Sequence, residues 1–159
     1  MTFCGTCATA DGSGLPHRRP CGHLGRYAPT RSVPGRSGAD IDEELIAHGD
    51  YSRDSGAKAM RELLNRSRNI DAVFAANDLM ALGAMDVLRE AGLTTPGDVA
   101  VVGFDDIKVS QEATPPLTTV RQPFDRISEE MVRLLLDVIS GKRPAAVTIP
   151  TELVIRESA

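Results

Sequence analysis

Two short apolar runs constrain this chain more than any other feature. They are Asp71-Ala-Val-Phe-Ala75 and Val99-Ala-Val-Val-Gly-Phe104. Each is too brief for a helix, and each is apolar at consecutive positions, so both faces of an extended segment would need cover. That pattern predicts buried strands. Between them Asn77 is placed to cap a helix over about Asp78 to Ala91, with Gly92 as its stop. Strand, helix and strand in so short a span form a βαβ unit, whose two strands run parallel.

The same pattern continues on either side. Ser52 precedes a helix over about Arg53 to Arg66, with Gly56, Ala59, Met60, Leu63 and Leu64 on one face. Leu117 to Gln122 predicts a third strand. Asp125 to Ser140 predicts a further helix, with Ile127, Met131, Leu134, Leu135 and Val138 on one stripe and Gly141 ending it. Val147 to Ile149 and Leu153 to Ile155 read as short strands around Pro150. The fold class is α/β, a Rossmann-like parallel sheet flanked by helices. With 4% aromatic residues and no Trp, its core must be aliphatic.

Residues 1–39 differ. They hold five Arg (Arg18, Arg19, Arg26, Arg31, Arg36) against one acid, Asp11, and are rich in Gly, Pro, Ser and Thr. This composition buries too little apolar surface to offset ordering entropy, so the segment is expected to be irregular or disordered. The boundary is set near Asp40, with 40–159 as the folded domain. The net charge of -4 argues against direct nucleic-acid binding. No apolar run is long enough to span a membrane, and no secretory signal opens the sequence, which gives a cytoplasmic expectation.

In open α/β sheets, ligands bind beyond the carboxyl ends of the strands. Asn77 follows the first apolar run, and Asp105 follows the second. An amide and a carboxylate at one crevice would suit a polyhydroxylated ligand. Spacing alone equally allows Asn77 to be only a helix cap and Asp105-Asp106 only a turn. Tyr51 could cover the apolar face of a sugar ring, or simply pack at the core edge.

On the wheel of the Asn77-capped helix, Leu79, Leu82 and Met85 fall away from the sheet-facing stripe. They predict a homodimer contact. Enzyme readings fail on motif grounds. There is no Gly-x-Ser-x-Gly elbow, no Gly-rich phosphate loop after a strand, and no His or Lys at a strand end near Asp105-Asp106. Cys4, Cys7, Cys21 and His23 could in principle hold zinc. Their spacing is not that of a common finger, so no metal or cofactor is assigned.

Four segments resemble the lactose-repressor (LacI/GalR) family of regulators. They are Asp71-Ala-Val-Phe-Ala-Ala-Asn77-Asp78-Leu-Met-Ala-Leu-Gly-Ala-Met85, Pro96-Gly-Asp98-Val-Ala-Val-Val-Gly-Phe-Asp105-Asp106, Pro115-Pro-Leu-Thr-Thr-Val-Arg-Gln122 and Pro150-Thr-Glu-Leu-Val-Ile-Arg156-Glu-Ser. Gly49-Asp-Tyr-Ser52 is also similar. The resemblance implies the C-terminal part of a periplasmic-binding-protein-like effector domain, with a sugar or polyol in the cleft between two subdomains. By motif, Asn77 and Asp105 would bind its hydroxyls, Tyr51 would lie against it, and Leu82 and Met85 would sit on the dimerising helix.

The resemblance covers about Asp40 to Ala159. The family's helix-turn-helix headpiece and most of its first subdomain have no counterpart, so DNA would be reached only through a headpiece absent here. Residues 1–39 resemble no part of the family. The stripe from Ile127 to Val138 would lack its usual cover, so poor solubility or oligomerisation is expected. The first reading is the effector-sensing, dimerising part of a sugar-responsive regulator. The alternatives are a sugar-binding protein of a transport system and a non-functional truncated remnant.

Overall fold

The computed structural model describes residues 2–6, 43–67 and 69–159. Among these residues six strands form one mixed sheet: β1 (Thr2–Thr6), β2 (Ile46–His48), β3 (Ala72–Phe74), β4 (Ala100–Asp105), β5 (Thr118–Arg121) and β6 (Glu152–Val154). Their spatial order is β2-β1-β3-β4-β5-β6. Only β3, β4 and β5 are parallel. β1 runs antiparallel to both β2 and β3, and β6 runs antiparallel to β5. The all-parallel expectation therefore holds for the centre and fails at both margins.

Among the described residues four α-helices accompany the sheet: α1 (Arg53–Arg66), α2 (Asp78–Glu90), α3 (Lys108–Gln111) and α4 (Phe124–Ile139). α1 starts where the Ser52 hydroxyl accepts the Ser55 backbone N–H. This satisfies one of the donors that a first helical turn leaves unpaired. α2 starts in the same way at Asn77 and stops before Gly92, whose φ of 75° is the left-handed conformation of a helix end.

The core lies between α1, α2 and the sheet. Met60, Leu63, Met80, Leu88, Val73, Val101 and Leu117 are all buried there. α1 and α2 approach closely, and Gly83 is the reason they can. A Cβ on Gly83 would sit 2.0 Å from the Arg53 carbonyl oxygen and 2.8 Å from the Ala57 nitrogen. Two exposed ion pairs, Arg53–Asp86 at 2.7 Å and Arg61–Glu90 at 3.0 Å, cross between the helices.

Residues Arg156 to Ser158 stitch the parallel strands together. The Ser158 N–H donates to the Pro116 carbonyl, and the Ser158 carbonyl accepts from Val101 N–H. The buried Ser158 hydroxyl donates to the Val101 carbonyl at 2.6 Å and accepts from Thr118 N–H at 2.8 Å. Thus β4 and β5 are bound by a residue belonging to neither.

Several expectations need correction. Thr2–Thr6 form a strand inside a segment expected to be irregular. β2 and α3 lie in stretches where no element was foreseen. Of the two short segments near Pro150, only the second is a strand, and 147–149 is not. The helical face of Leu79, Leu82 and Met85 is also not outward as a whole. Leu82 and Met85 are 4% and 7% exposed and belong to the core, while Leu79 is 38% exposed. α2 is nearly surrounded, so a wheel that allows one buried face misplaces these two side chains. By contrast, α4 has no buried residue, and Met131, Leu135 and Val138 of its expected stripe are exposed.

Candidate functional site

The site is built at the carboxyl edge of β3, β4 and β5. Phe74 of β3 pairs with Val102 of β4. Asn77 and Asp105 each lie three positions beyond that pair, so neighbouring parallel strands deliver both to the same edge at the same height. The register therefore places Asn77 and Asp105 at one edge of the sheet. Among the described residues, the backbone is left-handed at only three non-glycine positions: Tyr51 (φ 73°), Asp105 (φ 120°) and Asp106 (φ 59°). Two of these are expected site residues. Strained backbone concentrated at one mouth is a feature of functional sites.

Asn77 is 8% exposed and works locally. Its Oδ1 accepts the Met80 backbone N–H at 2.9 Å, and its Nδ2 donates to the Tyr51 carbonyl at 2.9 Å. The amide therefore ties the Tyr51 turn to the start of α2. A carboxamide has two N–H donors and two acceptor lone pairs, so capping and ligand binding are compatible. Tyr51 itself is 46% exposed.

The adjacent acids divide their work. The Asp106 side chain is buried and forms ion pairs with Arg156 and, at 2.6 Å, with Arg121. Burial opposes its ionisation. Hydrogen bonds from Arg156 and Arg121 outweigh that and hold the carboxyl below the usual carboxylate range. Asp106 is thus a structural clamp between the ends of β4, β5 and the Arg156 segment. Asp105 is half-buried and accepts from Gln122 Nε2 at 2.5 Å.

Asp78 lies behind them, fully buried. Its Oδ2 accepts the Ile107 N–H at 2.9 Å, and its Oδ1 accepts the Thr119 hydroxyl at 2.5 Å. Burial pushes its pKa up, Thr119 opposes the rise, and the negative charge of Asp105 adds to it. At the outer rim, Asp50 binds the Ser52 hydroxyl and N–H, which holds its carboxyl at about 2.

Sequence reasoning missed Gln122, Asp78 and Arg156. Gln122 was available to the same argument that found Asp105, because it stands just past the end of β5 as Asp105 stands at the end of β4. Arg156 gave no local signal, since its partner is fifty residues away. Among the described residues no cluster of three or more His, Cys, Asp or Glu is arranged to hold a metal ion. Cys7, Cys21 and His23 of the possible zinc set lie outside the described residues.

The carboxyl edge of the parallel strands, where Asn77 and Asp105 stand, is the edge at which open α/β sheets bind ligands. The chain belongs to the periplasmic binding protein-like domain family, whose description matches residues 9–159, starting upstream of Asp40. It is 50% identical over 124 residues to the HTH-type transcriptional regulator CelR of Thermobifida fusca, covering 77% of this chain and 36% of that protein. It is 40% identical over 125 residues to the HTH-type transcriptional repressor CytR of Escherichia coli K12, covering 77% and 37%.

Among solved structures, a complex of the regulator CelR with cellobiose superposes with a TM-score of 0.74 at 50% identity, covering 77% of this chain and 38% of that one. The lac repressor dimer bound to operator superposes with a TM-score of 0.65 at 38% identity, covering 69% and 34%. The chain spans little more than a third of the length of the relatives it matches. The similarity to LacI-type regulators lies in their effector-binding portion.

Proposed function

We propose that this chain is the effector-sensing and dimerising part of a sugar-responsive transcription regulator of the repressor type. The observation that carries the reading is the convergence of Asn77 and Asp105 at one carboxyl edge. It is supported by 50% identity to a regulator whose structure holds cellobiose. In this reading Asp105 accepts hydrogen bonds from ligand hydroxyls, the spare amide capacity of Asn77 completes the pattern, and the Tyr51 ring lies against the sugar's apolar face.

The ligand acts by population shift. It favours one arrangement of the effector domain and so changes operator affinity at a separate headpiece. The chain works in the cytoplasm, as a regulator rather than an enzyme. Among the described residues no helix is long and apolar enough to cross a membrane. The α2 helix contributes to a homodimer contact in which Leu79 is presented, and Leu82 and Met85 support it from beneath.

The test is titration calorimetry of the complete regulator containing this segment against cellobiose and a panel of mono- and disaccharides. Saturable binding to one sugar, lost in Asp105→Ala with the fold intact, supports the proposal. Binding unchanged by both Asp105→Ala and Asn77→Ala overturns the site.

A further inference from the structure

Asp78 is buried outright, yet the sensor reading gives it no task. It follows Asn77 in the chain, and it bonds to the residue two positions beyond Asp105. Its Oδ2 accepts the Ile107 N–H at 2.9 Å, and its Oδ1 accepts the Thr119 hydroxyl at 2.5 Å. Both donors are neutral, and a carboxylate accepts both at once. β4 leaves room for the group, because a Cβ on Gly103 would come 2.4 Å from Asp78 Oδ1.

Asp105 and Asp106 are consecutive left-handed residues, with φ of 120° and 59°. Non-glycine backbone of this kind persists only where its surroundings hold it. Pairing of Asp105 with Arg121 across β4 and β5 holds the start of the turn. Arg121 and Arg156 hold the Asp106 side chain. The Ile107 N–H holds the far end, through Asp78. This last anchor differs from the others, because it runs to the first turn of α2, where Asn77 caps the helix. Asn77 in turn donates to the Tyr51 carbonyl at 2.9 Å. One bonded path therefore joins Tyr51, Asn77 and Asp78 to Ile107 and the Asp105 turn.

We propose that Asp78 is the positioning residue of the sugar site: its bond to Ile107 fixes Asp105 relative to Asn77. It acts through those two residues and not on the ligand. The binding half of this proposal rests on the sensor reading, whereas the tie between Asp78 and the turn stands without it.

Amide hydrogen exchange, read by NMR on the full chain, tests the tie. Calorimetry of the complete regulator with cellobiose tests its effect. In the parent the Ile107 amide is protected, although Ile107 lies outside every helix and strand. Asp78→Ala removes its acceptor. Exchange at Ile107 then rises about tenfold beyond any change at Val101 of β4, and cellobiose affinity falls about tenfold. Asp78→Asn keeps an oxygen for the Ile107 N–H and turns its NH₂ to the Thr119 hydroxyl oxygen, so both readouts return to within about threefold of the parent. Thr119→Val cuts only the other bond. It lowers stability but leaves affinity and Ile107 protection within about threefold, which separates positioning from support of the core.

An Ile107 amide that exchanges in the parent as fast as an exposed loop amide overturns the proposal, whatever the variants do. So does a folded Asp78→Ala chain with parental affinity or parental protection. A tenfold loss of affinity in Asp78→Asn or Thr119→Val overturns it as well, and these two variants decide the matter if Asp78→Ala does not fold. A parent that binds no cellobiose sinks the sensor reading for that sugar, and exchange at Ile107 then decides the tie by itself.

Discussion

α2 and α4 are helices of similar length, 13 and 16 residues, and both are rich in Leu, Met and Val. Yet nine residues of α2 are buried, and none of α4 is. The difference does not lie in the helices. α2 follows β3, is capped by Asn77, and is pressed between α1 and the sheet. α4 follows β5 across Gln122 and Pro123 and meets no facing element among the described residues. Amphipathicity tells that a helix needs cover, and only topology tells whether the chain supplies it.

The sharpest way to break this contrast is at the α1–α2 crossing. Gly83→Val would drive side-chain atoms into the backbone of Arg53 and Ala57. Separating the helices costs about 3 kcal/mol or more, and the chain should fail to show cooperative urea unfolding. Next come matched truncations. Leu88→Ala leaves a cavity in the core and should lower unfolding stability by about 3 kcal/mol. Leu135→Ala on α4 should change it by less than about 0.5 kcal/mol under dilute conditions. Equal losses would show that α4 is covered after all.

Thr119→Val sharpens the comparison inside the core. It removes the hydroxyl that Asp78 Oδ1 accepts and should cost about 2 kcal/mol. The sign of its pH dependence follows from burial. The Asp78 pKa is raised in the folded state, so the folded chain holds that proton more tightly than the unfolded one. Stability from this group is present in acid and is lost as pH rises through the folded value. Thr119→Val raises that value further, so its cost should be larger at neutral pH than in mild acid. Urea titrations at the two pH values check this. The smallest effect is at the α1 cap. Ser52→Ala should cost about 1 kcal/mol, read as a shift in thermal midpoint.

The sequence made α1, α2, β3, β4 and β5 legible because each combines a periodic apolar pattern with a local stop or cap. It could not reveal β1, whose pairing with Ile46–His48 joins segments some forty residues apart. It could not rank Asp105 against Asp106 either, because the ranking depends on Arg156 and Arg121, which arrive from elsewhere in the fold. Leu82 and Met85 were misread for a related reason. A helical wheel sees one partner surface, while α2 is enclosed by more than one. The candidate site was legible at Asn77 and Asp105 because register fixes them. Gln122, reached through the adjacent strand, needed only the same rule applied once more.

The Ser158 stitch bears on the order in which the sheet can close. Its hydroxyl reaches a carbonyl 57 positions earlier in the chain and accepts the Thr118 N–H from 40 positions away, while Arg156 donates to the Leu117 carbonyl from 39 positions away. Contacts so distant in sequence form late. As the polypeptide leaves the ribosome, β4 and β5 must wait for residue 158 before the Val101 carbonyl and Thr118 amide find their partner. Until then the middle of the sheet is held only by its own ladder, and the newborn protein is at its most vulnerable to strand exchange with its neighbours.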